Sequence, residues 1–175
     1  MRARGFTLIE LLVTMAILAL VLGFAVPNLA AALRQTRMAT VINTVSGAVA
    51  MARTAAVTRM RGVSVCPLDG SGAQDCDLFG EWRYGVLVFL DRNQDGALTL
   101  PDDQVLRQLP LSVGDLDVRS NLTAVIFNTD GTTDTTGSGM WQVCDPSQRV
   151  APRGLRLAGI GHLQVFTPTS CGDGL

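Results

Sequence analysis

The residue of this chain that most needs a partner is Glu10, the lone charge in the run from Phe6 to Val26. At a rise of ~1.5 Å per residue, a helix of about 21 residues crosses a ~30 Å hydrocarbon core. A carboxylate at that depth is costly, and such acids mark function by default. Arg2 and Arg4 precede the run and set an orientation with the N-terminus inside. A secretory signal would carry a small-residue cleavage site after its apolar region. Here Gly23, Phe24, Ala25 and Val26 lead into Pro27 and a further helical pattern, and the small residue lies ahead of the run, at Gly5. A plain membrane anchor explains the hydrophobicity but gives no reason for an acid five residues past a glycine.

Gly5-Phe6-Thr7-Leu8-Ile9-Glu10 resembles, residue for residue, the prepilin peptidase recognition sequence of the type IV pilin superfamily. The resemblance implies cleavage between Gly5 and Phe6 on the cytoplasmic side and methylation of the new amino group of Phe6. It implies that the apolar helix is kept as anchor and assembly surface. It also supplies Glu10 with a partner, the N-terminal ammonium of a neighbouring subunit, so that a charge isolated in lipid becomes a pair when helices bundle. Further along come a cysteine strand with a small loop, Gly80-Glu81-Trp82 with Tyr84-Gly85, Val88-Phe89-Leu90-Asp91, a turn, and a late cysteine strand before Arg153-Gly154-Leu155-Arg156-Leu157. This order is similar to the FimT and GspH branch, which holds minor pilins of type IV pili and the H-type pseudopilins of type II secretion.

An exported head faces an oxidising compartment, so Cys66, Cys76, Cys144 and Cys171 are read as disulfides. Of the three connectivities, we favour Cys66 with Cys76, which closes the Gly-rich loop LDGSGAQD, and Cys144 with Cys171, which pins the tail. Zinc is the weaker reading, because neither pair has CxxC spacing and the only histidine is His162. No metal and no cofactor is therefore expected.

Asp91-Arg92-Asn93-Gln94-Asp95-Gly96, with Asp102 at the twelfth position, follows the EF-hand template of oxygen ligands at one, three and five and glycine at six. It departs from that template where the bidentate glutamate should stand. Pro101 precedes the twelfth position, and the flanks read as strands. We read Asn93, Asp95 and Gly96 as a tight turn with acids capping local amides, and calcium as its competitor.

All fourteen basic residues are arginine, and the net charge of −1 argues against nucleic-acid binding by the whole surface. Some FimT-like pilins capture DNA through a Gly-Arg-x-Arg segment near the C-terminus. The corresponding place here is Gly161-His162-Leu163-Gln164, without either arginine. Arg149, Arg153 and Arg156 remain nearby as candidate phosphate contacts, and we favour a role as solvated surface. His162 has no adjacent nucleophile, and adjacent Asp102 and Asp103 point apart on a strand, so an enzyme is not indicated.

These groups must be positioned by two kinds of element. After Pro27, which is expected to kink or open the helix near Gly23, Met38, Ile42, Val45, Val49, Ala52 and Ala56 recur at spacings of four and three. That makes one buried helix face, with Arg34, Arg37 and Arg53 off it. Beyond Arg61 the pattern alternates, and strands are predicted at 62–66, 82–90, 105–109, 117–119, 124–127, 139–144, 154–157 and 161–166. Their short connections leave no room for crossover helices, so the head is antiparallel. Thr129 to Gly139 reads as a flexible surface loop.

The expected organisation is α+β: a leader at 1–5, an N-terminal helix at 6–60 with a transmembrane part at 6–26, and a β-rich head at 61–175. The resemblance implies a structural subunit of a type IV pilus or type II secretion pseudopilus. Its partners are other pilin or pseudopilin subunits, prepilin peptidase and the bacterial inner membrane, with DNA the alternative. The resemblance implies that the chain passes the membrane once, with its head in the periplasm.

Overall fold

The computed structural model describes residues 7–134 and 139–175, without the side chains of residues 24–27. Gly5 and Phe6, and residues 135–138 of the loop expected at 129–139, lie outside the described residues.

A single helix, α1, runs from Leu8 to Arg59 without a break, and no opening near Gly23 interrupts it. It starts at Thr7, whose extended backbone and hydroxyl cap the first turn, and it ends where Met60 turns into the left-handed region with φ 52°. Its two halves differ in what they touch. The large apolar residues from Leu8 to Leu22 stand at least half exposed, whereas Met38, Ile42, Val45, Val49, Ala52 and Ala56 are all buried. Val41 and Ala48 widen that stripe, as the 3.6-residue period requires of a helix lying in a concave bed. Ala48, Ala52 and Ala56 stack at intervals of four, and their small side chains let the helix axis come close to the strands beneath.

The head is antiparallel, as expected, and splits into two four-stranded sheets. The first contains β1 (Val63–Pro67), β2 (Gly85–Leu90), β3 (Gln104–Pro110) and β5 (Val125–Phe127), in the order β3-β2-β1-β5. The second contains β4 (Asp117–Ser120), β6 (Gly139–Cys144), β7 (Arg153–Leu157) and β8 (Leu163–Phe166), in the order β4-β6-β7-β8. The expected strands recur with shifts of a residue or two, except that 82–84 precede β2 as a turn.

Helix α1 lies across both sheets, touching β1, β2, β5, β6 and β7. Its stripe forms one core with Val63, Val65, Val86 and Val88 of the first sheet and Trp141, Val143, Leu155 and Leu157 of the second. Trp82 and Trp141 meet edge to face at 5.3 Å, and the Trp82 indole donates to the Leu122 carbonyl at 2.8 Å. The unbroken apolar run of β2 has a cause. Val86 and Val88 face the helix, while Leu87 and Phe89 face outward into a second cluster with Cys66, Leu68 and Cys76, so both faces are dry.

Candidate functional site

The N-terminal half of α1 is the surface with the least intramolecular cover. Its best 18-residue window has a mean hydropathy of 2.6, and none of that window is buried, so the helix is long and apolar enough to cross a membrane. Glu10 is the third helical residue, where its amide donates to the Thr7 hydroxyl at 3.3 Å. Thr-x-x-Glu at this place is the capping-box pattern, and the acid also sits favourably at the positive end of the helix dipole. Among the described residues no side chain pairs with its carboxylate. Thr14, by contrast, satisfies its hydroxyl on the Leu11 carbonyl at 2.9 Å.

Cys66 is bonded to Cys76, and Cys144 to Cys171. The first bond closes the loop that covers Leu87 and Phe89. The second holds the C-terminal tail on the outer face of the second sheet. There buried Gln142 grips that tail from both ends of its amide, donating to the Asp173 carbonyl at 2.6 Å and accepting from the Gly172 amide at 2.7 Å.

The loop from Asp91 is wired as a turn. Buried Asp91 accepts from the Ser64 hydroxyl at 2.6 Å, the Gln94 amide at 2.6 Å and the Gly96 amide at 2.9 Å. Asp95 accepts from the Ala97 amide at 2.9 Å and the Asn93 side chain at 2.8 Å. The loop is closed by buried Asp103, which accepts from the amides of Arg92 at 2.9 Å and Thr99 at 2.8 Å, while Asp102 points outward, 3.9 Å from Arg92. Oxygens of Asp91, Asp95 and Asp103 that a cation would need thus already accept from backbone amides and from the Ser64 and Asn93 side chains. Among the described residues no group of three or more histidine, cysteine or acidic side chains is placed to hold a metal.

Of the three candidate DNA-contacting arginines, Arg149 and Arg153 line one groove beside α1, with Val150, Ala151 and Pro152. Arg156, three residues along β7, falls on the opposite face, with its guanidinium 5.1 Å over the Phe166 ring. His162 lies exposed in the turn before β8.

Sequence reasoning missed the polar junction that ties the helix to the head. Arg34 donates to Asp115 through Nε at 3.1 Å and Nη2 at 2.9 Å, and its Nε lies 4.0 Å from Asp145. Arg37 reaches the same Asp115 at 3.8 Å. The Asp145 side chain is fully buried. Burial alone would raise its pKa, but hydrogen bonds from the Ser147 hydroxyl and the Ser147 and Arg149 amides, helped by the Arg34 charge, hold the carboxyl below its usual 3.8. Asp115 is also held low, chiefly by the Arg34 hydrogen bond. The available signal was weak: arginines flanking a buried stripe are placed to reach over a sheet edge, but their partners lie about 80 and 110 residues away, a distance helical spacing does not encode.

The family model for the type II transport protein GspH matches residues 41–161, and the prokaryotic N-terminal methylation motif matches residues 1–26. No curated protein matches the chain significantly. Among solved structures, the type IV minor pilin FimU of Pseudomonas aeruginosa shares the fold with a TM-score of 0.59 at 18% identity, over 78% of this chain and 96% of that one. A second crystal form of FimU gives 0.54 at 19% identity, over 78% and 98%. The minor pseudopilin EpsH of the type 2 secretion system of Vibrio cholerae gives 0.47 at 12%, over 74% and 97%.

Proposed function

The chain belongs to the family of the type II transport protein GspH, and from that membership we propose that it is a minor structural subunit of a type IV pilus or of a type II secretion pseudopilus. In this reading prepilin peptidase cleaves after Gly5, Phe6 becomes the methylated N-terminus, and α1 anchors the chain in the inner membrane with the head in the periplasm. The observation that carries the proposal is the division of α1. One half is apolar, uncovered and interrupted by a lone carboxylate, and the other is sealed into the head. A helix surface with no partner in its own molecule is what a bundle of such subunits would bury. The methylation motif over residues 1–26 supports the processing step.

Glu10 gives the test, since in this account its partner is the ammonium of a neighbour. Glu10→Gln keeps the helix apolar and is expected to leave membrane insertion unchanged. Incorporation into sheared filaments should fall on the order of tenfold, the scale of one polar contact between helices in lipid. Normal incorporation of the variant would remove the pairing account, and a chain retained uncleaved in the membrane would remove the processing step.

A further inference from the structure

The groove that holds Arg149 and Arg153 lies at a height set by the chain itself. The apolar run ends at Val26, and the first helix residue lining the groove is Asn28. Because α1 continues unbroken through this point, Asn28 and Ala32 stand ~3 Å and ~9 Å beyond Val26 at ~1.5 Å per residue. The headgroup layer on each side of a ~30 Å hydrocarbon core is about 5–8 Å thick. In a subunit anchored by that run, the groove therefore opens into the headgroup layer. Leu29 and Leu33, 62% and 52% exposed, carry apolar surface up to the same level.

Its chemistry suits that layer. The groove, of about 500 Å³, is closed opposite α1 by the segment that leads into β7, which brings Arg149 and Arg153 to it, and Gln35 and Thr167 add neutral hydrogen-bonding groups. No acid lines it, and among the described residues neither arginine pairs with a carboxylate. The nearest acids are engaged elsewhere: buried Asp145 accepts from the Ser147 and Arg149 amides, and Asp115 accepts from Arg34. A polar cleft with two cations and no anion of its own is complementary to a phosphodiester, whose oxygens guanidinium groups match in pairs. Arg156 falls on the opposite face of β7, so the three arginines do not form the continuous stripe that a nucleic-acid backbone would follow.

We propose that this groove holds the headgroup of an anionic phospholipid of the periplasmic leaflet, with its phosphate against Arg149 and Arg153. The proposal rests on the anchoring reading above and adds a lipid contact made by the head in addition to that of the span. Arginine at the membrane surface gains from anionic lipid, and here the two cations are held by the head at one level above the hydrocarbon. The contact sets the depth and tilt at which a subunit waits in the bilayer before assembly.

The test titrates the full chain in detergent with phosphatidylglycerol or phosphatidylcholine and counts retained lipids by native mass spectrometry. Phosphatidylglycerol is expected to be retained on the order of tenfold more tightly. Arg149→Gln with Arg153→Gln should abolish that preference, whereas lysine at both positions should keep most of it, which separates lost charge from lost folding. Arg59→Gln with Arg61→Gln, at the far end of α1, should leave it unchanged. Equal retention of the two lipids, a preference that survives the Arg149 and Arg153 glutamines, or one lost equally at Arg59 and Arg61 would overturn the proposal. So would displacement of the lipid by inorganic phosphate or by a short DNA duplex at the same concentration, since either would assign the arginines to another anion. Flotation of the same chain with phosphatidylcholine vesicles tests the anchoring reading separately. A chain that floats but shows no lipid preference loses only this site, and a chain that does not float loses the anchor and the site together.

Discussion

Two acids at the helix–head junction carry opposite weights despite sharing Arg34. Asp145 is fully buried, so its neutral replacement leaves the Ser147 and Arg149 amides facing a poorer acceptor with no water to replace it. Asp115 is 51% exposed, and water screens its pair with Arg34. Asp145→Asn is expected to destabilise the protein by about 1–3 kcal/mol at pH 6, and Asp115→Asn to move the melting temperature little. The pH dependence follows from sign. Both carboxyls are depressed in the folded state, so their stabilisation is complete above the usual value of 3.8 and is lost as pH falls below it through the folded pKa. Melting temperatures between pH 6 and pH 2 should therefore drop less steeply in Asp145→Asn than in wild type; parallel curves would deny Asp145 that role. The loop at Asp91 separates in the same way. Asp91→Ala strands one hydroxyl and two amides and should cost about 2–3 kcal/mol, while Asp102→Ala stays within about 0.5 kcal/mol. Millimolar calcium should leave the melting temperature of the wild type unchanged, since the Asp91 oxygens already serve donors of the protein; an upward shift would mean that the loop rearranges around the ion.

At the level of elements, α1 is one helix by backbone and two by environment, and substitutions should respect that division. Ile42 is buried where α1 packs on the sheets, so Ile42→Ala is expected to cost about 2–5 kcal/mol in a thermal or denaturant melt. Leu18 is 57% exposed, and Leu18→Ala should leave the head's melt where it was. Equal effects would mean that the apolar half packs on the head. The buried stripe was legible in the sequence because every member lies within a turn or so of the next, and local periodicity records such neighbours. The strands were legible for the same reason. Their division into two sheets was not, because β4 precedes β5 in the chain yet belongs to the other sheet, and alternation records which face a residue takes, not which strand lies beside it. The site follows the same rule. The capping role of Asp91 could be read from its turn, whereas the closing acid proved to be Asp103 and not its neighbour Asp102, a choice made by which carboxyl the fold turns inward. Arg34 with Asp115 and Asp145 escaped notice because an arginine beside an apolar stripe looks solvated until its distant partners are placed.

For the whole molecule, these environments imply that folding and assembly belong to separate stretches of one chain. Every residue of the common core lies at or beyond Met38, and the junction formed by Arg34 and Arg37 is the first point at which the helix is held to the head by charge. Before that point the chain presents apolar surface that its own head does not cover. A chain beginning at Asn28 keeps the stripe, both disulfides and the junction, while losing Glu10 and most of the unburied surface. It is therefore expected to remain in solution without detergent and to melt cooperatively within a few degrees of the full chain, a shift matching well under ~1 kcal/mol. A chain beginning at Ala39 loses Met38 from the core and both arginines from the junction, leaving Asp145 buried with its charge less compensated. That second truncation should melt lower by roughly 10 °C or more, on the scale of removing a buried apolar side chain and one member of a buried ion pair together. Calorimetry of both truncations against the full chain in a mild detergent checks the division. A large loss already in the chain beginning at Asn28 would mean that the apolar half contributes to the fold of the head, and would unite the two tasks that the burial pattern assigns to different halves.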